Sequence, residues 1–206
     1  LSQGRVTTAE QLGLSSLESA SAAKVADEYA AMQRQKNQIE AQLASKPPEH
    51  ATADGRVLDS LNQRAQNHIK MGDFQSAVKI SNKVLNREPD NVAALYTRAA
   101  AENLMGNYEH AVEDATAALY RDPRHQQALD TRAQALLHLK RYQESIRDAD
   151  ASIALNDKNA YAYMNRAKAK EHIGDIAGMI ADYKAAARLS PQFSDELRDI
   201  ARRYGI

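Results

Sequence analysis

Histidine is the residue type in this chain with the widest chemical range, because imidazole binds metals and moves protons near neutral pH. The six histidines are scattered, and none belongs to the His-Glu-x-x-His spacing of a helical zinc site. His138 and His172 are far apart in sequence, but they could approach each other in a repetitive fold. Two imidazoles without a close carboxylate make a poor metal site, so we expect no bound metal.

Other patterns that carry chemistry are missing from the sequence. It has no cysteine, which excludes a disulfide framework, a thiolate zinc site and a cysteine nucleophile. It has neither a glycine-rich phosphate-binding loop nor a Gly-x-Ser-x-Gly nucleophile motif. We therefore expect no catalysis and no cofactor.

The charge balance and hydropathy limit the partners. Lys+Arg and Asp+Glu number 27 each, so no net field steers the chain towards nucleic acid. No apolar run approaches the roughly 20 residues of a membrane-spanning helix, and we expect no membrane insertion. Cytosol and periplasm both suit such a chain, and the cytoplasm is the expectation. An opening Leu1 in place of Met is expected of a piece of a longer protein.

Three prolines reveal a period along the chain. The spacing from Pro89 to Pro123 is 34, and the spacing from Pro123 to Pro191 is twice that, with Asp157 at the skipped position. Setting these residues at position 32 of a 34-residue unit predicts four consecutive units. The units span 58–91, 92–125, 126–159 and 160–193.

The columns of these units suit a helix–turn–helix hairpin. Position 8 is always small, and it reads Ala65, Ala99, Ala133 and Ala167. Position 15 is glycine in three of the units, which allows a first helix to end there. Positions 17, 21, 24 and 28 have the apolar spacing of a second helix. One hairpin cannot bury its apolar face alone, so the units must stack into a continuous all-α core.

These columns resemble the tetratricopeptide repeat family over residues 58–193. The resemblance rests on the small position 8, the glycine and the aromatic at the turn, and the closing proline. The chain departs from the family at position 4, which lacks the usual Trp, and at position 11, where an aromatic is common. The resemblance implies an α-solenoid of four repeats and a protein-binding function.

The sequence on either side of the repeats predicts further helices. A Ser15-x-x-Glu18 capping box and near-heptad apolar residues indicate an N-terminal helical arm over 1–46, and 47–57 is expected to be a linker. The arm could pack on its own solenoid, pair with a second copy or enter a neighbour's groove. A C-terminal capping helix is expected over 194–206, with Ser194 as its N-cap.

The resemblance also implies a concave face, lined by the first helices, where the family holds extended peptides or partner helices. Positions 2, 5, 9, 12 and 13 would line it. The expected partner-binding residues are Asn62, Gln66, Tyr96, Asn103, Leu104, Asp130, Leu137, His138, Tyr161, Met164, Lys168 and His172. The aromatic and apolar members are the expected anchors, because such groups dominate interface energy. The alternative is that they pack adjacent repeats together.

Two expectations concern charge. One subclass of the family grips acidic chaperone tails with lysine, arginine and asparagine at fixed positions, and neither register of this sequence supplies those cations. We expect no binding of that type. Position 7 is arginine in every unit: Arg64, Arg98, Arg132 and Arg166. This column could attract an acidic partner, but internal ion pairs with the aspartates at position 23 are the expectation.

The expected function is a non-catalytic interaction module, that is, an adaptor, scaffold or co-chaperone-like protein that binds a partner peptide or helix on its concave face. Two alternatives stay open. The chain could be the targeting or regulatory portion of a larger enzyme. It could also be a self-assembling scaffold, a homo-oligomer formed through the N-terminal helix.

Overall fold

Helix-forming residues dominate the repeats, and a computed structural model describes residues 53–205 as helices joined by short turns. The helices are α1 (Ala53–Lys70), α2 (Phe74–Leu85), α3 (Val92–Leu104), α4 (Tyr108–Arg121), α5 (Gln126–His138), α6 (Tyr142–Leu155), α7 (Ala160–Ile173), α8 (Ile176–Leu189) and α9 (Ser194–Tyr204). A 3-10 turn, Pro191–Phe193, precedes α9. The all-α solenoid expected from the sequence is confirmed for this part of the chain, whereas the predicted arm over 1–46 lies outside the described residues.

The helices form four hairpins, α1–α2, α3–α4, α5–α6 and α7–α8, which we number repeats 1 to 4. The first helices of repeats 2 to 4 begin at Val92, Gln126 and Ala160. The side chain just before each start accepts a hydrogen bond from a backbone N–H of the first turn: Asn91 from Ala94, His125 from Ala128 and Asn159 from Tyr161. These caps satisfy donors that have no partner inside the helix.

The start of α1 differs from the sequence expectation. The helix begins at Ala53, so the end of the stretch 47–57 that was expected to be a linker is helical. Asp54 lies in the first turn, where a negative charge favours the helix. At the other end of the chain, Ser194 is the first residue of α9 rather than its N-cap, and Phe193 precedes it. Among residues 53–205, no helix is long and apolar enough to cross a membrane.

The turn inside each repeat needs a left-handed backbone. Gly72, Gly106 and Gly174 adopt φ values of 78°, 86° and 80° there. Repeat 3 has Lys140 at the same place, with φ of 60°. A residue with a Cβ is strained in this region, so repeat 3 makes the turn of its neighbours at a higher conformational energy.

The core consists of two clusters of buried apolar residues. One joins repeats 1 to 3 and includes Leu58, Val84, Leu95 and Leu129. The other joins repeat 4 to the C-terminal helix, whose Ile200 packs among side chains of α7 and α8 together with Leu197 and Tyr204. Helix α9 therefore covers the last repeat, as expected of a terminal capping helix.

Small residues allow adjacent repeats to pack closely. Positions 3 and 10 of the first helices are alanines in repeats 2 to 4, and all of them are fully buried: Ala94, Ala101, Ala128, Ala135, Ala162 and Ala169. The equivalent residues of α1 are Ser60 and Asn67, and both are exposed. The side of α1 that faces away from repeat 2 is thus polar.

Candidate partner-binding face

The first helices of repeats 2 to 4 lie side by side. Helix α3 contacts α5, and α5 contacts α7, whereas within the described residues the second helices α2, α4, α6 and α8 do not contact one another. We call the side formed by positions 2, 5, 9, 12 and 13 of α1, α3, α5 and α7 the first-helix face.

Most of the residues predicted to bind a partner are accessible on this face. Leu104 is 51% exposed and Tyr161 is 60% exposed, and the ring of Tyr161 contacts the Phe193 ring edge-on with 5.3 Å between centroids. His138, Lys168 and His172 are also exposed. Four further residues are half-buried: Gln66, Tyr96, Asp130 and Leu137.

Three of the predicted contact residues are buried instead. Asn62, Asn103 and Met164 are 6%, 7% and 3% exposed. The Asn62 amide donates to the Asn91 side chain over 3.1 Å, and the Asn103 amide donates to Gln134 of the next repeat over 2.9 Å. Met164 belongs to the C-terminal core cluster. These three side chains join neighbouring elements together and offer little surface to a partner.

Position 5 of each repeat meets position 34, the residue before the next helix. The chemistry of this pair differs in every repeat. The side-chain amides of Asn62 and Asn91 are hydrogen-bonded, and the rings of Tyr96 and His125 have centroids 5.1 Å apart. The Asp130 carboxylate accepts from the Asn159 amide at 2.7 Å, and Met164 and Phe193 are apolar side chains of one core cluster. Position 5 therefore stabilises the junction between repeats as well as forming part of the first-helix face.

The two exposed histidines at position 13 each stack on a tyrosine of the preceding repeat. His138 stacks on Tyr108 of the preceding repeat with 4.3 Å between ring centroids, and His172 stacks on Tyr142 in the same way at 4.5 Å. Across residues 53–205, no three His, Asp or Glu side chains converge in an arrangement that could hold a metal ion. These stacks were not predicted from the sequence, although both pairs have the same spacing along the chain and so recur with the repeat.

Asp130 is the centre of a polar network at the junction of repeats 3 and 4. Its carboxylate accepts hydrogen bonds from the Ser152 hydroxyl at 2.6 Å and from the Asn159 amide at 2.7 Å. Burial raises the pKa of Asp130, and the two hydrogen bonds oppose that shift. Burial also raises the pKa of Tyr96, and the negative charge of Asp130 adds to the increase.

The arginine column forms internal ion pairs, as expected. Each of the pairs Arg98–Asp114, Arg132–Asp148 and Arg166–Asp182 is bidentate, with N–O distances between 2.6 and 2.8 Å. Repeat 1 is the exception, because Ile80 occupies position 23 and Arg64 is exposed. The arginines of repeats 2 to 4 are therefore occupied within the fold and are poor candidates for binding an acidic partner.

The repeats match known protein families and structures. A family described as anaphase-promoting complex, cyclosome, subunit 3 matches residues 70–148, and one described as tetratricopeptide repeat matches residues 131–192. No curated protein matches the sequence.

Several solved structures share the fold. MamA 41-end from Desulfovibrio magneticus RS-1 is 20% identical over 72% of this chain and 85% of that one, with a TM-score of 0.62. TTC0263, a thermophilic tetratricopeptide protein of Thermus thermophilus, is 17% identical over 72% and 83%, with a TM-score of 0.64. A tetratricopeptide repeat protein from Parabacteroides merdae ATCC 43184 is 21% identical over 76% and 62%, with a TM-score of 0.62. The 34-residue hairpins thus have the tetratricopeptide repeat fold, and residues 131–192 match the tetratricopeptide repeat family.

Proposed function

We propose that this chain is a non-catalytic adaptor or scaffold whose first-helix face binds a segment of a partner protein, either an extended peptide or a helix. The tetratricopeptide fold itself supports a protein–protein interaction module. The choice of this face rests on the contacts between repeats, which within the described residues join first helices and not second helices.

That contact pattern favours a curved stack. Because the first helices touch across the repeats and the second helices do not, the stack bends towards its first helices. The first-helix face then lies on the inner side of the curve, where one partner segment can contact several repeats at once. Leu104 and Tyr161 are exposed on this face, and such apolar and aromatic side chains are suited to anchoring a partner.

The test is photo-crosslinking from matched positions in the full chain. A photoreactive amino acid replaces Gln134 or Lys168, which are exposed on α5 and α7, and in the controls it replaces Ala151 or Lys184, exposed on α6 and α8 of the same repeats. Partner crosslinks are expected from Gln134 and Lys168 and not from the control positions. Equal crosslinking from both sides would contradict the proposal.

Substitution of the anchors gives an independent measurement. Leu104→Ala and Tyr161→Ala are each expected to weaken capture of the crosslinked partner by about tenfold, the effect of losing roughly 1.4 kcal/mol of binding free energy. Tyr120→Ala is the matched control, because Tyr120 is 81% exposed on the second helix α4. A crosslink to a second copy of the chain would identify a self-assembling scaffold.

A further inference from the structure

Asp130 differs from the buried aspartates at position 23 of repeats 2 to 4. Asp114, Asp148 and Asp182 are buried, and each is neutralised by an arginine. Asp130 is half-buried, and its two hydrogen-bond donors, Ser152 and Asn159, are neutral. Among the residues that the structure describes, it has no ion pair. A desolvated carboxylate without a cation is unfavourable, and a cation brought by a ligand would offset that cost.

The neighbouring imidazole of His125 is engaged within the fold. Its Nδ1 atom accepts the backbone N–H of Ala128 at 3.2 Å and so caps α5. His125 contributes a ring that packs at a tilt of 44° against Tyr96 and helps to fix the position of that phenol.

Tyr96 gives the site an aromatic surface beside the carboxylate. The ring is half-buried at position 5 of α3, and Asp130 holds position 5 of α5, the helix that α3 contacts. The ring also packs against His125, the residue that caps α5. An aromatic face and a carboxylate side by side attract a lysine or arginine side chain, through the ring quadrupole and the opposite charge.

Repeat 2 also leaves room next to this ring. Positions 2 and 9 of α3 are Ala93 and Ala100, which flank Tyr96 on the same side of the helix. The other three repeats have larger side chains at both positions: Asp59, Gln66, Gln127, Gln134, Tyr161 and Lys168. Repeat 2 therefore has the smallest side chains at these two positions.

We propose that Tyr96 and Asp130 form a subsite that takes a cationic side chain, lysine or arginine, from the bound partner. The proposal rests on the first-helix face being the binding face and adds which chemistry it selects. Ala93 and Ala100 provide the space, Asp130 provides the charge, and Tyr96 provides the surface along which the side chain lies.

The test uses two small probes on the isotope-labelled full chain. N-acetyl-arginine methylamide carries the guanidinium, and N-acetyl-citrulline methylamide is its neutral equivalent of the same shape. Saturable NMR shift changes at Tyr96 and Asp130 are expected with the arginine probe, and about fivefold to tenfold weaker binding with the citrulline probe. Equal response to both probes would overturn the subsite.

Variants test the contributions of Asp130 and Tyr96 separately. Asp130→Asn is expected to abolish the preference for arginine. Because that change also alters the junction of repeats 3 and 4, a second pair of variants leaves it intact: Tyr96→Leu is expected to reduce the preference and Tyr96→Phe to keep it. Glu109→Gln removes an exposed charge on α4 and is expected to change nothing. Retained preference in both Asp130→Asn and Tyr96→Leu would show that the subsite is wrong.

Failure of the subsite can be distinguished from failure of the proposed function. If partner crosslinks from Gln134 persist while the probes show no preference for arginine, the first-helix face binds the partner without this subsite. If the crosslinks come from the second helices instead, the proposed function is wrong, and the probe titration still reports on the Tyr96–Asp130 site by itself.

Discussion

Arg132 holds Asp148 through two parallel hydrogen bonds of 2.7 Å, while the third nitrogen of the same guanidinium donates to the Thr116 hydroxyl of the preceding repeat at 3.1 Å. The Asp148 residue is 7% exposed. One side chain thus ties together three helices, α4, α5 and α6. Bidentate arginine–carboxylate pairs are among the stronger polar contacts in proteins, and this one also fixes the position of repeat 3 on repeat 2.

Removal of that arginine should leave a buried charge. We expect Arg132→Ala to lower the free energy of unfolding by about 3 kcal/mol, because the Asp148 carboxylate loses its partner inside the fold. Urea unfolding followed by circular dichroism measures the change. Arg124→Ala, an exposed arginine, is the control and should stay within about 0.5 kcal/mol of the parent. If Arg132→Ala lost no more stability than the control, the structural role of the ion pair would be contradicted. It would also be contradicted if the double variant Arg132→Ala/Asp148→Ala recovered none of the lost stability.

The left-handed turn of repeat 3 predicts a gain in stability. Lys140 has φ of 60°, where its three counterparts are glycines. Lys140→Gly should raise the free energy of unfolding by about 1 kcal/mol, since relief of the strain exceeds the greater entropy of an unfolded glycine. Thermal unfolding measures it. Lys158→Gly replaces an exposed turn lysine without a positive φ and should give no gain, so equal gains would rule out strain as the cause.

The cap of α5 can be tested with its own counterparts. His125→Ala removes the acceptor of the Ala128 N–H, and we expect a loss of about 1 kcal/mol. His125→Asn should cost less, because Asn91 and Asn159 cap the equivalent helices in the same way. The difference between the two variants isolates the cap from the ring contact with Tyr96. If both variants lost the same stability, the ring contact would account for the effect and the cap would not.

Asp130 should lower the free energy of unfolding as pH rises, whereas a salt-bridged acid has the opposite effect. Its pKa in the folded state is raised by burial above the ordinary value of 3.8, so the folded chain binds a proton more tightly than the unfolded chain. The stability that this group contributes is therefore complete below pH 3.8 and declines as pH rises through the folded-state pKa. Chemical denaturation of the parent and Asp130→Asn over pH 3 to 7 measures this difference, which should move in favour of the variant as pH rises. A trend in the reverse direction would contradict the burial effect.

The repeating columns allowed much of the fold to be predicted. The arginines at position 7 and aspartates at position 23 were enough to predict the ion pairs, because both residues belong to one hairpin and their separation of 16 residues is constant. Glycine at position 15 located the turns for the same reason. Lys140 shows the limit of that reasoning, since repeat 3 makes the turn without the glycine.

The partner-binding face was predicted less completely. A position on a first helix determines the direction of the side chain but does not tell whether the next repeat covers it. Asn103 and Met164 were expected to be accessible, and the adjoining elements bury them. The stack of His138 on Tyr108 depends on how one hairpin is rotated against another. That rotation depends on the packing of other residues, such as the small Ala94 and Ala101, and it cannot be inferred from His138 or Tyr108.

Those alanines have a consequence for how such a chain can grow. A copy of 92–125 carries close-packing alanines at both contact positions, so duplication of this unit would give a piece that fits between existing neighbours. The unit 58–91 could not be moved to an internal place in the same way, because Ser60 and Asn67 are larger and polar where the other repeats have fully buried alanines. Recombination can therefore lengthen the array from its middle, whereas its first unit is interchangeable with none of the others until both polar residues are replaced.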